Sequence, residues 1–196
     1  MSVNLQKGQK IDLTKGNSSL TRVVVGLGWD EAQRSSGFFG SKPQSIDCDA
    51  SAIMCNFDGK LIANEDVIYY NNLRHKSGAV CHMGDNLTGQ GDGDDEQVIV
   101  DLNSVPEQYG RITFVVTIYQ ARERGQDFGM IKNAFIRIVD ASNNKELMKY
   151  NLSENYAGRT AMIFGELYRH NGEWKFSAVG EPTNDNGINE ITRRFV

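Results

Sequence analysis

The sequence predicts an all-β chain, a β-sandwich of two mostly antiparallel sheets with minor short helices. Three observations lead there. Apolar residues alternate with polar ones at a period of two in several separate stretches. Tight-turn dipeptides fall between those stretches. Helical spacing is confined to the last dozen residues.

Val23-Val24-Val25 begins a β-branched run that ends at Gly26-Leu27-Gly28-Trp29. From Ile46 to Cys55 the residues Cys48, Ala50, Ala52 and Met54 fall on one side, and Asp47, Asp49 and Ser51 on the other. Glu96 to Leu102 is rich in Val and Ile, a composition that fits the pleated surface of a sheet. Arg111 to Gln120 sets Ile112, Phe114, Val116 and Ile118 against Thr113, Val115, Thr117 and Tyr119, and Phe135 to Val139 alternates again. Asp58-Gly59, Asn143-Asn144 and Asn171-Gly172 are turn signals, because Gly and Asn tolerate left-handed backbone. Asn171-Gly172 therefore predicts a hairpin between Ala161–Arg169 and Trp174–Val179. Near the end, Asp185 is placed to cap a short helix whose apolar face would carry Ile188, Ile191 and Phe195.

The 196 residues are expected to form one domain, 1–196, since no Ser/Gly/Pro-rich linker divides them and the three prolines, Pro43, Pro106 and Pro182, are scattered. A composition of 39% hydrophobic and 23% charged residues is that of a soluble globular protein. No apolar run reaches the roughly 20 residues of a membrane helix. The opening Met-Ser-Val-Asn-Leu-Gln-Lys lacks a signal peptide's apolar centre. Three cysteines, Cys48, Cys55 and Cys81, are too few and too odd for a disulfide framework and suit a reducing cytoplasm. A net charge of -4 gives no electrostatic case for nucleic acid.

Charge distribution is more informative than its sum. No Lys or Arg occurs between Lys76 and Arg111, whereas Asp85, Asp92, Asp94, Asp95, Glu96, Asp101 and Glu107 do. Four of these acids lie within Asp92–Glu96. Like charges about 4 Å apart repel by on the order of 1–4 kcal/mol in wet surroundings, and a divalent cation reverses that sign. Calcium takes 6–8 oxygen ligands, which Asp85, Asn86, Thr88, Asp92, Asp94 and Glu96 can supply while Gly89, Gly91 and Gly93 let the backbone fold tightly. The absence of Cys and His from Asp85 to Glu96 disfavours zinc and copper. The loop is not an EF-hand: Leu87 and Gly89 stand where its third and fifth ligands belong, and Gln90 where its glycine belongs. The competing reading is a solvated acidic surface loop. Asp47 and Asp49 share a strand face and would repel unless bridged, and Asp30 could lie near them. Taken without the loop, a polar outer strand face is the favoured reading of that pair.

These segments resemble the TerD family of tellurium-resistance and general-stress proteins. The resemblance runs over nearly the whole chain: Val3 to Leu13, Gly26-Leu27-Gly28-Trp29-Asp30, Ile46-Asp47-Cys48-Asp49-Ala50-Ser51, Gly84 to Glu96, and Gly165-Glu166-Leu167-Tyr168-Arg169 with Trp174-Lys175-Phe176. It implies a cytoplasmic β-sandwich that binds one or two Ca2+ ions and acts in resistance to tellurite and other stresses. Its partners would be other Ter-type proteins, some of them at the membrane. Calcium roles carry over to Asp30, Asp47, Asp49, Asp85, Asn86, Asp94 and Glu96; Asp92 and Asp95 would ligate or raise the local potential.

Other chemistries are weaker. Cys48 and Cys55 have opposite strand parity, and Cys81 diverges from His82, so cysteine-dependent handling of tellurium oxyanions lacks a visible dithiol. His75 and His170, next to Arg74 and Arg169, read as surface residues, and Trp29 and Trp174 as core or core edge. A nucleotide-like ligand lacks a Gly-rich phosphate loop with an adjacent base. The expectation is a non-enzymatic protein.

Overall fold

The computed structural model describes residues 2–31, 45–84 and 93–196. Among these residues, twelve strands form two six-stranded sheets. The first sheet contains β1 (Val3–Leu5), β3 (Arg22–Glu31), β6 (Val80–His82), β7 (Glu96–Asp101), β9 (Ile131–Asp140) and β10 (Lys145–Asn151), in the order β1-β10-β9-β3-β7-β6. The second contains β2 (Lys10–Asp12), β4 (Cys48–Cys55), β5 (Val67–Ile68), β8 (Arg111–Ile118), β11 (Ala161–His170) and β12 (Glu173–Thr183), in the order β2-β12-β11-β8-β4-β5. Pairing is antiparallel throughout except between β1 and β10. The predicted sandwich is therefore what the chain adopts.

The core lies between the sheets. Val23, Val25, Leu27 and Trp29 of β3 meet Cys48, Ala50, Ala52 and Met54 of β4 and Ile112, Phe114, Val116 and Ile118 of β8 there, as the two-residue alternation dictates. The expected end of β3 near Trp29 was too early, since the strand runs on to Glu31 after a register shift between Gly28 and Asp30. Asn171 and Gly172 both have positive φ, 54° and 79°, and join β11 to β12 in a two-residue hairpin. Asn144, at φ 58°, makes the turn before β10, with the Asp140 carboxylate accepting from the Ser142 N–H at 2.9 Å.

A second apolar cluster covers the outside of the second sheet. Ile53, Cys55, Val115, Ala161 and Ile163 are roofed by Ile191 and Phe195. These come from α2 (Ile188–Ile191) and the 3-10 turn Thr192–Phe195 that follows it. The helix forms with the expected apolar face, but Asp185 does not cap it. Gly187 occupies the cap, and the Asp185 carboxylate instead receives the Arg194 guanidinium at 2.5 Å. A charged hydrogen bond outweighs a cap made to a one-turn helix.

His75 also departs from expectation. It is buried, at 2% exposure, and not on the surface. The fully buried Asp66 accepts hydrogen bonds from the Tyr109 hydroxyl at 2.8 Å, the Ala63 N–H at 3.0 Å and His75 Nε2 at 3.2 Å. Burial, then the hydrogen bond to Asp66, pushes the Tyr109 phenol up to about 12. This network pins the stretch between β5 and β6 to the start of β8.

Candidate metal centre at the acidic loop

The strand β3 presents two glycines to the outer face of the first sheet, and neighbouring side chains use the space. A Cβ on Gly26 would stand 2.2 Å from the Asp94 carboxylate, and one on Gly28 would stand 2.5 Å from the Phe135 ring. Asp94 thus lies flat over Gly26. Gly26 is in register with Gln97 of β7 and Arg137 of β9. Arg137 donates Nε and Nη2 to the two Asp94 oxygens at 2.6 and 3.1 Å, and Gln97 donates its amide at 3.0 Å. The Asp94 side chain is 1% exposed. Arg137, 43 positions downstream, is the base that the local charge count did not contain. A glycine inside a strand marks close approach of another group, and the Gly26/Gly28 pair was the signal available for it.

The next two acids turn elsewhere. Asp95 is buried; its Oδ2 accepts the Trp29 N–H at 2.7 Å, while its own N–H donates to the Leu27 carbonyl at 2.8 Å. Burial raises the Asp95 pKa, the Trp29 N–H opposes the rise, and the charges of Asp30 and Asp94 add to it. Glu96 points inward between the sheets. Its carboxylate accepts the Ala50 N–H at 2.5 Å and stands 3.4 Å from His82 Nε2. The Gly84 N–H donates to His82 Nδ1 at 3.1 Å, which leaves the proton on Nε2, 3.1 Å from the Ala50 carbonyl. Glu96 and His82 together satisfy the backbone of β4 at Ala50, where β5, paired only at Ala52 and Ile53, does not reach.

Asp30, next to last in β3, lies beside this group, with its carboxylate accepting the Asn133 amide at 2.6 Å. Asp47 and Asp49 belong to the opposite side of the sandwich. Asp49 lines a cavity on the outer face of the second sheet with Ser51, Thr117, Tyr119 and Glu123, and Asp47 stands 3.9 Å from the Arg124 guanidinium. The structure therefore gathers Asp30, Asp94 and Asp95 within electrostatic reach and separates Asp47 and Asp49 from them. Asp85, Asn86 and Asp92 lie outside the described residues. Among the described residues, no three His, Cys, Asp or Glu side chains converge as a metal site.

The TerD domain matches residues 1–195. This chain belongs to the TerD family. Among its TerD-family relatives, it is 52% identical over 200 residues to "Stress response protein SCP2" of Bacillus subtilis (strain 168), covering 100% of both chains. It is 49% identical over 181 residues to "Tellurium resistance protein TerD" of Serratia marcescens, covering 92% of this chain and 91% of that one. The TerD sandwich also superposes on a crystal structure of a homologue of telluride resistance protein (TerD) from Streptomyces coelicolor A3(2). The TM-score is 0.66 at 20% identity, over 90% of this chain and 98% of the other.

The cysteines of this TerD-family chain follow their sequence parity. Cys48 faces the inter-sheet core and Cys55 the second cluster on the other side of β4. Burial pushes the Cys55 thiol up to about 12, which leaves it without thiolate character at neutral pH. Trp29 and Trp174 are buried, at 4% and 5% exposure, as core residues.

Proposed function

We propose that this TerD-family chain is a calcium-binding, non-enzymatic, cytoplasmic stress-response protein that contributes to tellurite resistance. Relatives at about half identity over nearly their whole length carry the names stress response protein and tellurium resistance protein, which supports the physiological part. The observation that carries the metal part is Asp95. Its carboxylate is buried and its pKa rises, with Asp30 and Asp94 adding to the rise. A hard dication placed among these oxygens removes that penalty.

Asp30 and Asp95 would contribute oxygens from the sandwich, and Asp85, Asn86 and Asp92 from the loop. Asp94 and Glu96, already engaged by Arg137 and by Ala50 and His82, anchor the two ends of the loop's C-terminal stem. Asp47 and Asp49 would serve a separate second ion or none. Calcium bound to the folded state alone adds about 2.7 kcal/mol at a hundredfold excess over Kd.

The ordered loop would form the surface presented to another Ter-type protein. Leu73 and Met83, 44% and 56% exposed, stand next to its N-terminal stem, where the His82 N–H donates to the Leu73 carbonyl at 2.7 Å. No described helix is long and apolar enough to cross a membrane. Calorimetric titration of EDTA-stripped protein with calcium and, separately, magnesium tests the reading. One or two sites with preference for calcium, and a raised Tm, are expected; no response at millimolar calcium overturns it.

A further inference from the structure

We propose that Ser77 is an activated nucleophile that accepts a phosphoryl group from a small acyl phosphate, and is therefore a covalent modification site. Neither calcium nor turnover is involved. Ser77 stands exposed on the turn that leads into β6. The Gly78 N–H closes that turn by donating to the His75 carbonyl at 2.8 Å, and the His75 N–H donates to the Val80 carbonyl at 3.0 Å. The Ser77 hydroxyl oxygen is thereby held 2.7 Å from His75 Nδ1. On the far side of the ring, His75 Nε2 lies 3.2 Å from the Asp66 carboxylate. An exposed hydroxyl, a buried imidazole and a fully buried carboxylate thus form one chain of hydrogen bonds.

The direction of that chain follows from its donors. The Ser77 N–H donates to His75 Nδ1 at 3.2 Å, so this nitrogen carries no proton. The ring proton is on Nε2 and points to Asp66. The Ser77 O–H therefore donates to Nδ1, as a nucleophile does to its general base when a carboxylate fixes the tautomer. Asp66 is held in turn by the Tyr109 hydroxyl at 2.8 Å and the Ala63 N–H at 3.0 Å. A turn cap alone would need only the Ser77 oxygen, which accepts the Ala79 N–H at 3.2 Å; it would not need a buried acid behind the imidazole.

The surroundings select the group. Arg74 and Lys76 are exposed on the same turn, and neither pairs with a carboxylate among the described residues. A Cβ on Gly78 would stand 3.2 Å from Arg74 Nη2, so the guanidinium lies over the residue that follows Ser77. Its planar fork matches the oxygens of a phosphoryl group. An open turn does not enclose a sluggish donor, so the donor must bring a good leaving group, as an acyl phosphate does. In the step, the Ser77 oxygen forms the O–P bond and the bond from phosphorus to the bridging oxygen breaks. The Ser77 proton passes to His75 Nδ1, and the carboxylate leaves. His75 is then an imidazolium between the new phosphate and Asp66, one cation between two anions.

A fluorophosphonate ester probes the nucleophile, with fluoride as the leaving group. In EDTA, peptide mapping should place one adduct on Ser77, formed about a hundredfold faster than on the same chain unfolded in urea, the contribution of a positioned base. Ser77→Ala should lose the adduct and keep its circular dichroism. His75→Gln and Asp66→Asn should each slow labelling by about a hundredfold. Asp66→Asn acts through the imidazole: it offers Nε2 a donor and moves the ring proton to Nδ1. The comparison with urea needs no variant, so misfolding of a buried variant does not spare the proposal. Acetyl phosphate should add a phosphoryl group to Ser77, and Arg74→Met should slow that addition by roughly tenfold, the loss of one charged contact. ATP with magnesium should add none, which separates a small donor from one that a kinase delivers. The proposal is overturned if Ser77 labels no faster in the folded chain than in the unfolded one, or if folded His75→Gln and Asp66→Asn label as the parent does. It is equally overturned if acetyl phosphate leaves an acetyl group in place of a phosphoryl group, if ATP serves as well, or if Arg74→Met changes nothing.

Discussion

Asp95 is a carboxylate that folding makes harder to ionise, with burial as the leading cause. Its folded pKa lies above the ordinary 3.8. It therefore favours folding while protonated, and that contribution is lost as pH rises from the ordinary value through the folded one. Asp95→Asn keeps an acceptor for the Trp29 N–H and removes the charge. In EDTA at pH 7 the variant is expected to melt above the parent, by about 2–4 °C per kcal/mol of repulsion removed. The gap should close as pH falls below about 4, and calcium should bind the variant more weakly. Calorimetry across pH checks this; a parent more stable than the variant at neutral pH would sink it.

Arg137 acts in the opposite sense. Replacing it with Met leaves the enclosed Asp94 carboxylate without its cation. The cost is expected at about 2–4 kcal/mol, below the figure for a fully enclosed pair because the guanidinium is about a third exposed. Asp94→Asn in the same chain should recover most of it in a urea-melt double-mutant cycle. The acids themselves were legible in the sequence, since a dense run of like charge is a local property. Their neutraliser was not, because pairing of β3 with β9 is what brings Arg137 over Gly26.

Elements were legible wherever the chemistry is local. Asn171-Gly172 specifies its hairpin by two left-handed residues, and the alternation in β4 and β8 specifies which side meets the core. The outer side of β4 was not legible as a covered surface. Its polar start, Asp49-Ser51, suggested solvent, yet Ile53 and Cys55 lie beneath α2 and the turn that follows it. Deleting residues 188–196 uncovers Ile53, Val115 and Ile163. Loss of the Ile191 and Phe195 anchors is expected to cost about 1.5–3 kcal/mol each. The truncated chain should keep its far-UV circular dichroism, bind an apolar dye and melt earlier. Unchanged melting would mean that the segment contributes no cover.

At the scale of the whole molecule, the class was legible and the sheet order was not. Twelve short strands with turn residues between them point to a sandwich. Nothing local states that β1 runs parallel to β10 or that β3 lies between β9 and β7. The same arrangement keeps Cys48 and Cys55 in separate clusters, with Cys81 on the other sheet. A variant with all three cysteines replaced by alanine is therefore expected to fold, to bind calcium as the parent does and to protect cells from tellurite equally. Loss of protection with calcium binding intact would restore a thiol mechanism.

The bare stripe at Gly26 and Gly28 has a consequence for assembly. Strands β3 and β7 are far apart in the chain and must find one alignment among several that their Val- and Ile-rich faces would accept. A slip by one residue would set Leu27 or Val25 where Gly26 belongs. The Asp94 carboxylate would then have nowhere to lie and no arginine to meet. Misaligned pairing is thus rejected at a single notch, and a methyl group there, Gly26→Ala, should slow refolding as well as weaken the folded state.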